Sequence, residues 1–394
     1  MTGRDRVKAA LTFAKPDRAP RDLWALPYVA LFQKDELDAL AEKYPMDVGA
    51  SRISPGLSDQ ALQATATAGH YTDEWGSVWY VGEPGVIGEV KEPALADWSA
   101  LATFRPPWHL VRERDLSHAN RACEKSDKFM LSDVAARPFE RLQFLRGSEN
   151  LFVDLGYGTA KVRQLLEMVH EFYLEDVRSW CGSNVDGIVF MDDWGSNHAL
   201  LIDPRTWREM FKPLYRDYCD LIHAAGKFVF FHTDGHTEAI LGDLIEVGVD
   251  AINAQLFTMD IEGLARKYKG WVTFWGEIDR LTYDPALRDT TSRWLDTPMI
   301  VGSLHVFSKS SLQKGPRCGS LSSCSRCSIG RWAARPSQPT RSAISSPALC
   351  TRSSSSPVAN VYQVWVPWMM PLARTSGSRR WSNNSQQRQY TVPR

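Results

Sequence analysis

Residues 228–236 read F-V-F-F-H-T-D-G-H. Four apolar residues run without a break into His232, and Asp234 and His236 then flank a single glycine. A run that is apolar at every position is a strand buried on both faces, and such strands belong to parallel sheets covered by helices. The neighbouring sequence repeats the arrangement. G-I-V-F-M (187–191) is a second run, ending at Asp192 and Asp193. D-A-I-N-A (250–254) is a third and carries Asn253, and W-V-T-F-W-G-E (271–277) is a fourth, ending at Glu277. Helical stretches lie between them. Residues 204–226 open with Pro204 and close with Gly226, and Pro213 is expected to kink or split that helix. Residues 236–248 carry the apolar stripe Ile240, Leu241, Leu244, Ile245 and Val247, and 261–270 form a further helix.

This alternation leaves two architectures, a doubly wound open sheet or a (β/α)8 barrel. Neither G-x-G-x-x-G nor G-x-x-x-x-G-K-[ST] follows any of the strands, which weighs against a nucleotide-binding open sheet. Polar residues recur where the strands end, and a barrel gathers those ends on one rim, where it does its chemistry. The expected fold is therefore α/β, a (β/α)8 TIM barrel, incomplete or disordered at the C-terminus. In the first 150 residues a helix is expected over 3–13 and a turn at K-P-D-R-A-P (15–20). A hairpin is expected over 71–82, a connecting segment over 90–107, and two helices over 137–155, parted near Gly147.

The net charge of zero hides an asymmetry. All 46 acidic residues lie at or before Asp296. The last 98 residues hold 13 Lys and Arg and no acid, which leaves the first 296 with a net charge of −13. The chain thus divides into a barrel domain over 1–296 and a Ser/Arg/Pro-rich tail over 297–394. Three readings of the tail compete: a basic arm for nucleic acid, a zinc site on Cys318, Cys324 and Cys327 with Cys350 or His305, and a shifted coding frame. The missing acids and scattered tryptophans favour the shifted frame, whose product would be inactive. The basic-tailed binding protein is the rival. No apolar run approaches the roughly 18 residues of a membrane span, and seven cysteines in 394 residues do not make a disulfide scaffold. A cytoplasmic location is expected, without membrane or nucleic-acid partners.

His232 and Asp234 sit two apart at a strand end, so both side chains point the same way if the strand persists. Together they could bind a divalent metal or form an acid–base pair, although Asp234 could instead cap the helix expected to start near His236. Glu277 could complete the metal site. Asp192, after four apolar residues, must face the cleft or pair with a base. Asp193 is expected to turn outward or bind backbone. His198 lines the rim or sits in a solvated loop. Trp75, Trp79, Trp194 and Trp275 offer a wall for a flat ligand or plain packing. Arg137 and Arg141 hold an anion or are exposed helix charge.

Four features, taken in order along the chain, carry a resemblance. They are R-V-K-A-A-L-T-F-A-K-P-D-R-A-P (6–20), D-E-W-G-S-V-W (73–79), V-F-M-D-D-W-G (189–195), and the pair F-F-H-T-D-G-H (230–236) with F-W-G-E-I-D (274–279). Together they resemble the uroporphyrinogen decarboxylase superfamily over about residues 4–280. The resemblance implies a (β/α)8 barrel with its cleft at the strand C-termini. It also implies one of two chemistries: cofactor-free decarboxylation of uroporphyrinogen, in porphyrin biosynthesis, or methyl transfer between corrinoid proteins and thiols, often with zinc. The decarboxylases hold substrate carboxylates with an R-Q-A-G-R loop, and here P-R-D-L-W-A-L-P-Y (20–28) offers Arg21 alone. Their acid matching Asp192 contacts pyrrole nitrogens. Zinc-dependent methyltransferases carry H-x-C where this chain has His232 and Asp234. The expected function is one-carbon (methyl) transfer, with uroporphyrinogen decarboxylation as the alternative. The expected catalytic residues are Asp192, His232 and Asp234, the expected substrate contacts Arg21, Trp194, His198 and Asn253, and the expected metal ligands His232, Asp234 and Glu277. Zinc or another divalent metal and a corrinoid are the expected cofactors. A small-molecule substrate, a corrinoid protein and a second copy of the chain are the expected partners.

Overall fold

The computed structural model describes residues 1–51 and 66–276. The tail, its cysteines, His305 and Glu277 lie outside the described residues. The chain opens with helices α1 (Gly3–Leu11), α2 (Pro27–Phe32) and α3 (Lys34–Lys43), then strand β1 (Val48–Ala50). Strands β2 (Gly69–Thr72), β3 (Val78–Val81) and β4 (Glu89–Glu92) form a small antiparallel sheet, so the expected hairpin gains a third strand from the segment read as a connection. After α4 (His109–Arg112) and α5 (Ser117–Glu124) come β5 (Phe129–Ala136), α6 (Pro138–Arg146), α7 (Ser148–Tyr157) and α8 (Ala160–Cys181). The chain continues through β6 (Gly187–Met191), α9 (Pro204–Met210), α10 (Lys212–Ala224), β7 (Phe228–Thr233), α11 (Glu238–Glu246), β8 (Ala251–Ala254), α12 (Ile261–Tyr268) and β9 (Thr273–Phe274).

The large sheet has the order β1-β5-β6-β7-β8-β9, and every neighbouring pair is parallel. Each strand adds on the same side of the last. A doubly wound sheet would reverse direction at a switch point. Here there is no reversal, and the described strands are successive staves of an incomplete (β/α)8 barrel. Pro213 does split its helix: α9 stops at Met210 and Pro213 sits in the first turn of α10. Gly147, at φ 78, parts α6 from α7.

The sheet has two separate apolar faces. Phe129, Leu131, Val189, Phe230, Ala251 and Trp275 form the inner layer, with Val7, Ala10 and Leu11 of α1 packed among them. Ile188, Phe190, Val229, Phe231, Ile252 and Phe274 face the outer helices. Helix α1 thus fills the inside of the barrel, and the Thr273 hydroxyl donates to the Ala10 carbonyl at 3.1 Å. The D-R of the K-P-D-R-A-P turn has a structural reason. Asp47, 3% exposed, precedes β1 and takes Arg6 and Arg18 at 2.5 Å each, while Arg6 also holds Asp17 at 2.6 Å. That cluster pins α1 and the turn to the first stave, away from the strand C-termini.

A capping box closes the start of α1: the Asp5 N–H donates to the Thr2 hydroxyl at 3.1 Å, and the Thr2 N–H to the Asp5 carboxylate at 3.4 Å. Thr2→Ala is expected to cost about 1 kcal/mol, read as a lower urea midpoint with an unchanged slope. Among the described residues, no helix is long and apolar enough to cross a membrane.

Candidate functional site

Strand parity places the site. In β7, Phe228 and Phe230 point inward and Val229 and Phe231 outward, so His232 points inward at the C-terminal end. In β8, Ala251 is inward and Ile252 outward, so Asn253 is inward. The two are register partners, and His232 Nδ1 meets Asn253 Oδ1 at 2.5 Å. The Asn253 amide N–H donates to the carbonyls of Trp275 and Gly276 at 2.8 and 3.2 Å. Its oxygen is therefore turned to the imidazole, and Nδ1 must be the donor. A neutral His232 ring then presents its Nε2 lone pair to the rim.

Two carboxylates wait there. Asp193 Oδ1 lies 3.7 Å and Asp234 Oδ1 3.8 Å from His232 Nε2. Asp193, His232 and Asp234 each offer a ligand atom, all within 4.8 Å of one another. Three ligand atoms this close form a set that could hold a metal ion. Tetrahedral zinc with bonds of about 2.1 Å separates its ligand atoms by about 3.4 Å, so each imidazole–carboxylate pair lies within a few tenths of an ångström of that spacing. One nitrogen and two oxygens also match three protein ligands plus an open position. The donor set fits a divalent metal.

Of the two places expected for Asp193, outward or on backbone, the second holds: its carboxylate accepts from the Asp234 N–H at 2.9 Å. It faces inward with Asp234, because Val189 and Met191 share its phase along the β6 direction. Asp234 does not cap α11, whose N-cap is Thr237. Its N–H instead takes the Asp193 carboxylate at 2.9 Å. The loops after β6 and β7 are zipped together: the Gly195 N–H donates to the Asp234 carbonyl at 2.9 Å, and the His236 N–H to the Ser196 carbonyl at 2.7 Å. Gly235, at φ 84, leaves no room for a side chain. A Cβ there would lie 2.2 Å from the Gly195 backbone. The glycine between the two imidazoles of H-T-D-G-H is thus what lets both acids reach His232.

Asp192 has a different place from the one expected. It is fully buried on the outer face and accepts from the Phe139 and Glu140 N–H groups at 2.9 and 2.7 Å and from the Tyr215 hydroxyl at 2.6 Å. Burial and the nearby Glu140 carboxyl push its pKa well up, against those three donors. It caps α6 and does not reach the rim triad.

Sequence reasoning missed Glu140. Burial raises its carboxyl above the usual range, Arg137 and His232 oppose the rise, and the Asp193 carboxylate adds to it. One oxygen, Oε2, has no hydrogen bond and lies 3.7 Å from Arg137 Nε. Its only local signal was an acid in the first turn of a helix opened by Pro138.

Residues 120–300 match the family model for uroporphyrinogen decarboxylase (URO-D), a match that ends just past Asp296, the last acid. The fold is similar to that of a methyltransferase from Methanosarcina mazei, with a TM-score of 0.54 and 14% sequence identity over 72% of this chain and 86% of that one. No curated protein matches. Over residues 120–300 the chain thus resembles the uroporphyrinogen decarboxylase superfamily.

Several expected contacts lie elsewhere. Arg21 stacks over Tyr44 with its guanidinium carbon 5.4 Å from the ring centroid, beside the Asp47 cluster and away from the rim. Trp194 is fully buried, stacked on Phe139 at 4.0 Å, and donates to the Tyr215 hydroxyl at 3.1 Å. His198 lies in an exposed loop. Trp75 packs on Phe172 at 4.6 Å, and Trp79 donates to Asp73 at 3.0 Å. These tryptophans do not form one wall, because the outer core and the small sheet claim them. Nor are the arginines of α6 exposed helix charge. Arg141 lies over Trp75 at 4.6 Å and against Asp73 at 3.3 Å, and Arg137, half-buried at the α6 N-cap, donates to Met191 Sδ at 3.1 Å.

Proposed function

We propose that this protein is a metal-dependent methyltransferase that moves a methyl group between a corrinoid and a thiol. The observation that carries the reading is the rim triad: Asp193, His232 and Asp234 converge at the strand ends while Asn253 fixes the imidazole tautomer. The methyltransferase named among similar solved folds supports it. A divalent cation held there would act as a Lewis acid that lowers the pKa of a thiol. A corrinoid would supply the methyl group, and a thiol held by the cation at Asp193, His232 and Asp234 would accept it, its proton passing to solvent. The protein's own groups hold and shield. Asn253 keeps Nδ1 protonated so that Nε2 can bind. Trp24 and Trp275 close the inner side against water, with Trp24 packed on His232 at 5.2 Å. Glu140, whose carboxyl burial raises above the usual range, leaves its Oε2 without a hydrogen bond.

Decarboxylation of uroporphyrinogen is the second reading, favoured by the family model that matches. It has less to work with: both oxygens of Asp192 are engaged by α6 and Tyr215, and Arg21 lies at the other end of β1.

The experiment compares metal content and turnover. The chain purified from zinc-supplemented medium is expected to hold zinc near one per protein. His232→Ala, Asp193→Ala and Asp234→Ala are expected to hold almost none, with methyl transfer from methylcobalamin to a small thiol lost in parallel. Zinc-free conversion of uroporphyrinogen to coproporphyrinogen would instead establish the decarboxylase.

A further inference from the structure

The His232 ring is held on two sides by groups outside the ligand triad. On one side Asn253 binds Nδ1 and is itself anchored on the Trp275 carbonyl. On the other side Trp24 packs against the imidazole, with ring centroids 5.2 Å apart, and meets Trp275 edge-on at 4.8 Å. The contacts therefore close into a loop: His232 to Asn253 to Trp275 to Trp24 and back. Such a loop fixes the ring only if the Trp24 indole is itself fixed. Its N–H donates at 3.0 Å to Asp22, a carboxylate 6% exposed and two residues upstream. The second indole donor here, Trp275 Nε1, is buried without a hydrogen bond at normal geometry, yet it lies close enough to stabilise the Asp22 anion. Lys128 is the charged group that faces Asp22 from the sheet.

We propose that Asp22 is a positioning residue for the metal ligand His232, acting through the Trp24 indole. The proposal rests on the reading of the rim triad as a metal centre. A buried carboxylate is costly to keep unless its charge is used, and here the anion orients the indole that walls the imidazole. Outer partners of this kind orient a ligand ring, and their loss typically weakens metal binding about 10- to 100-fold. Burial holds the Asp22 carboxyl up to about 7 against the two indoles, the Leu23 N–H and Lys128. The anion, and the strong acceptor it provides, is therefore present above neutrality and lost below it.

Zinc affinity of the full chain, measured by competition with a chromophoric chelator, tests this. At pH 8, Asp22→Asn and Trp24→Phe are each expected to bind zinc at least about 10-fold more weakly than the wild type. The double variant should be no weaker than the weaker single one, because the two side chains act as one unit. By pH 6 the wild type should approach Asp22→Asn, since its own carboxyl is then protonated. Wild-type affinity in both single variants at pH 8, or a gap that persists unchanged at pH 6, overturns the proposal. If the wild type itself binds no zinc, the metal reading fails separately. The ¹⁵N-histidine spectrum of the metal-free chain then decides. One Nδ1–H tautomer for His232 in the wild type and a mixture in Asp22→Asn would uphold the positioning role, and identical spectra would sink it.

Discussion

Gly235→Ala is expected to destabilise the protein by about 3 kcal/mol or more and to abolish zinc binding. Three costs add. A side chain at φ 84 is strained, by about 1 kcal/mol. The new Cβ would sit 2.2 Å from the Gly195 backbone, so the two loops must part. Parting them breaks the hydrogen bonds from Gly195 to Asp234 and from His236 to Ser196, at about 1 kcal/mol each. Because those bonds set Asp193 beside Asp234, the metal ligands separate as the loops do. Gly195→Ala meets the same wall from the other side, at 2.6 Å, and should show both losses to a lesser degree without the φ strain. Urea denaturation and zinc titration read the two effects. A Gly235→Ala protein with wild-type midpoint and zinc content would mean that the loops are not packed in this way.

Asp22→Asn is expected to move stability and metal affinity in opposite directions. The Asp22 carboxyl is raised from 3.8 to about 7, chiefly by burial. A raised acid binds its proton more tightly folded than unfolded. Its stabilising contribution is complete below pH 4 and is lost as pH climbs to 7, because the unfolded chain has then released a proton that the native state still holds. The full loss is about 4 kcal/mol at pH 8. The asparagine variant has no such proton. It should gain on the wild type by up to that amount between pH 4 and 8, while binding zinc more weakly at pH 8. Greater stability with poorer metal binding is the mark of a strained functional group. If the variant is equally or less stable at pH 8 than at pH 4 relative to the wild type, the carboxyl is not held in a costly state. Urea midpoints at the two pH values measure this directly.

Much of the architecture is written locally. Apolar runs at 187–191, 228–231 and 250–254 can only be doubly buried strands, and Pro204, Pro213 and Gly147 mark helix starts and breaks that the structure places where chain chemistry demands. His232 and Asn253 stand out because a polar residue ending such a run lies at a rim. The inward-facing acid did not stand out. Asp192 and Asp193 follow β6 as a pair, and the pattern that would tell them apart is erased by Ile188, Val189 and Phe190 all being apolar. Where both faces of a strand are buried, hydrophobicity carries no phase. Only the packing of Val189 against α1's plug and of Phe190 against Tyr215 and Tyr218 shows that odd positions look inward. Asp192 then falls to the outer face, where it caps a helix whose first turn lies more than 50 residues earlier.

The sequence by itself determined the alternation of strands and helices, the rim position of His232, and the break in composition after Asp296, since each follows from side-chain chemistry within a few neighbouring residues. Tertiary structure alone decided which of two adjacent acids meets the imidazole, that Gly195 and Gly235 interlock, and that Asp22 and Trp24 lie behind His232. Those relations join segments from tens to some two hundred residues apart. No local preference encodes such distances; they are fixed only when the staves curl around a common interior.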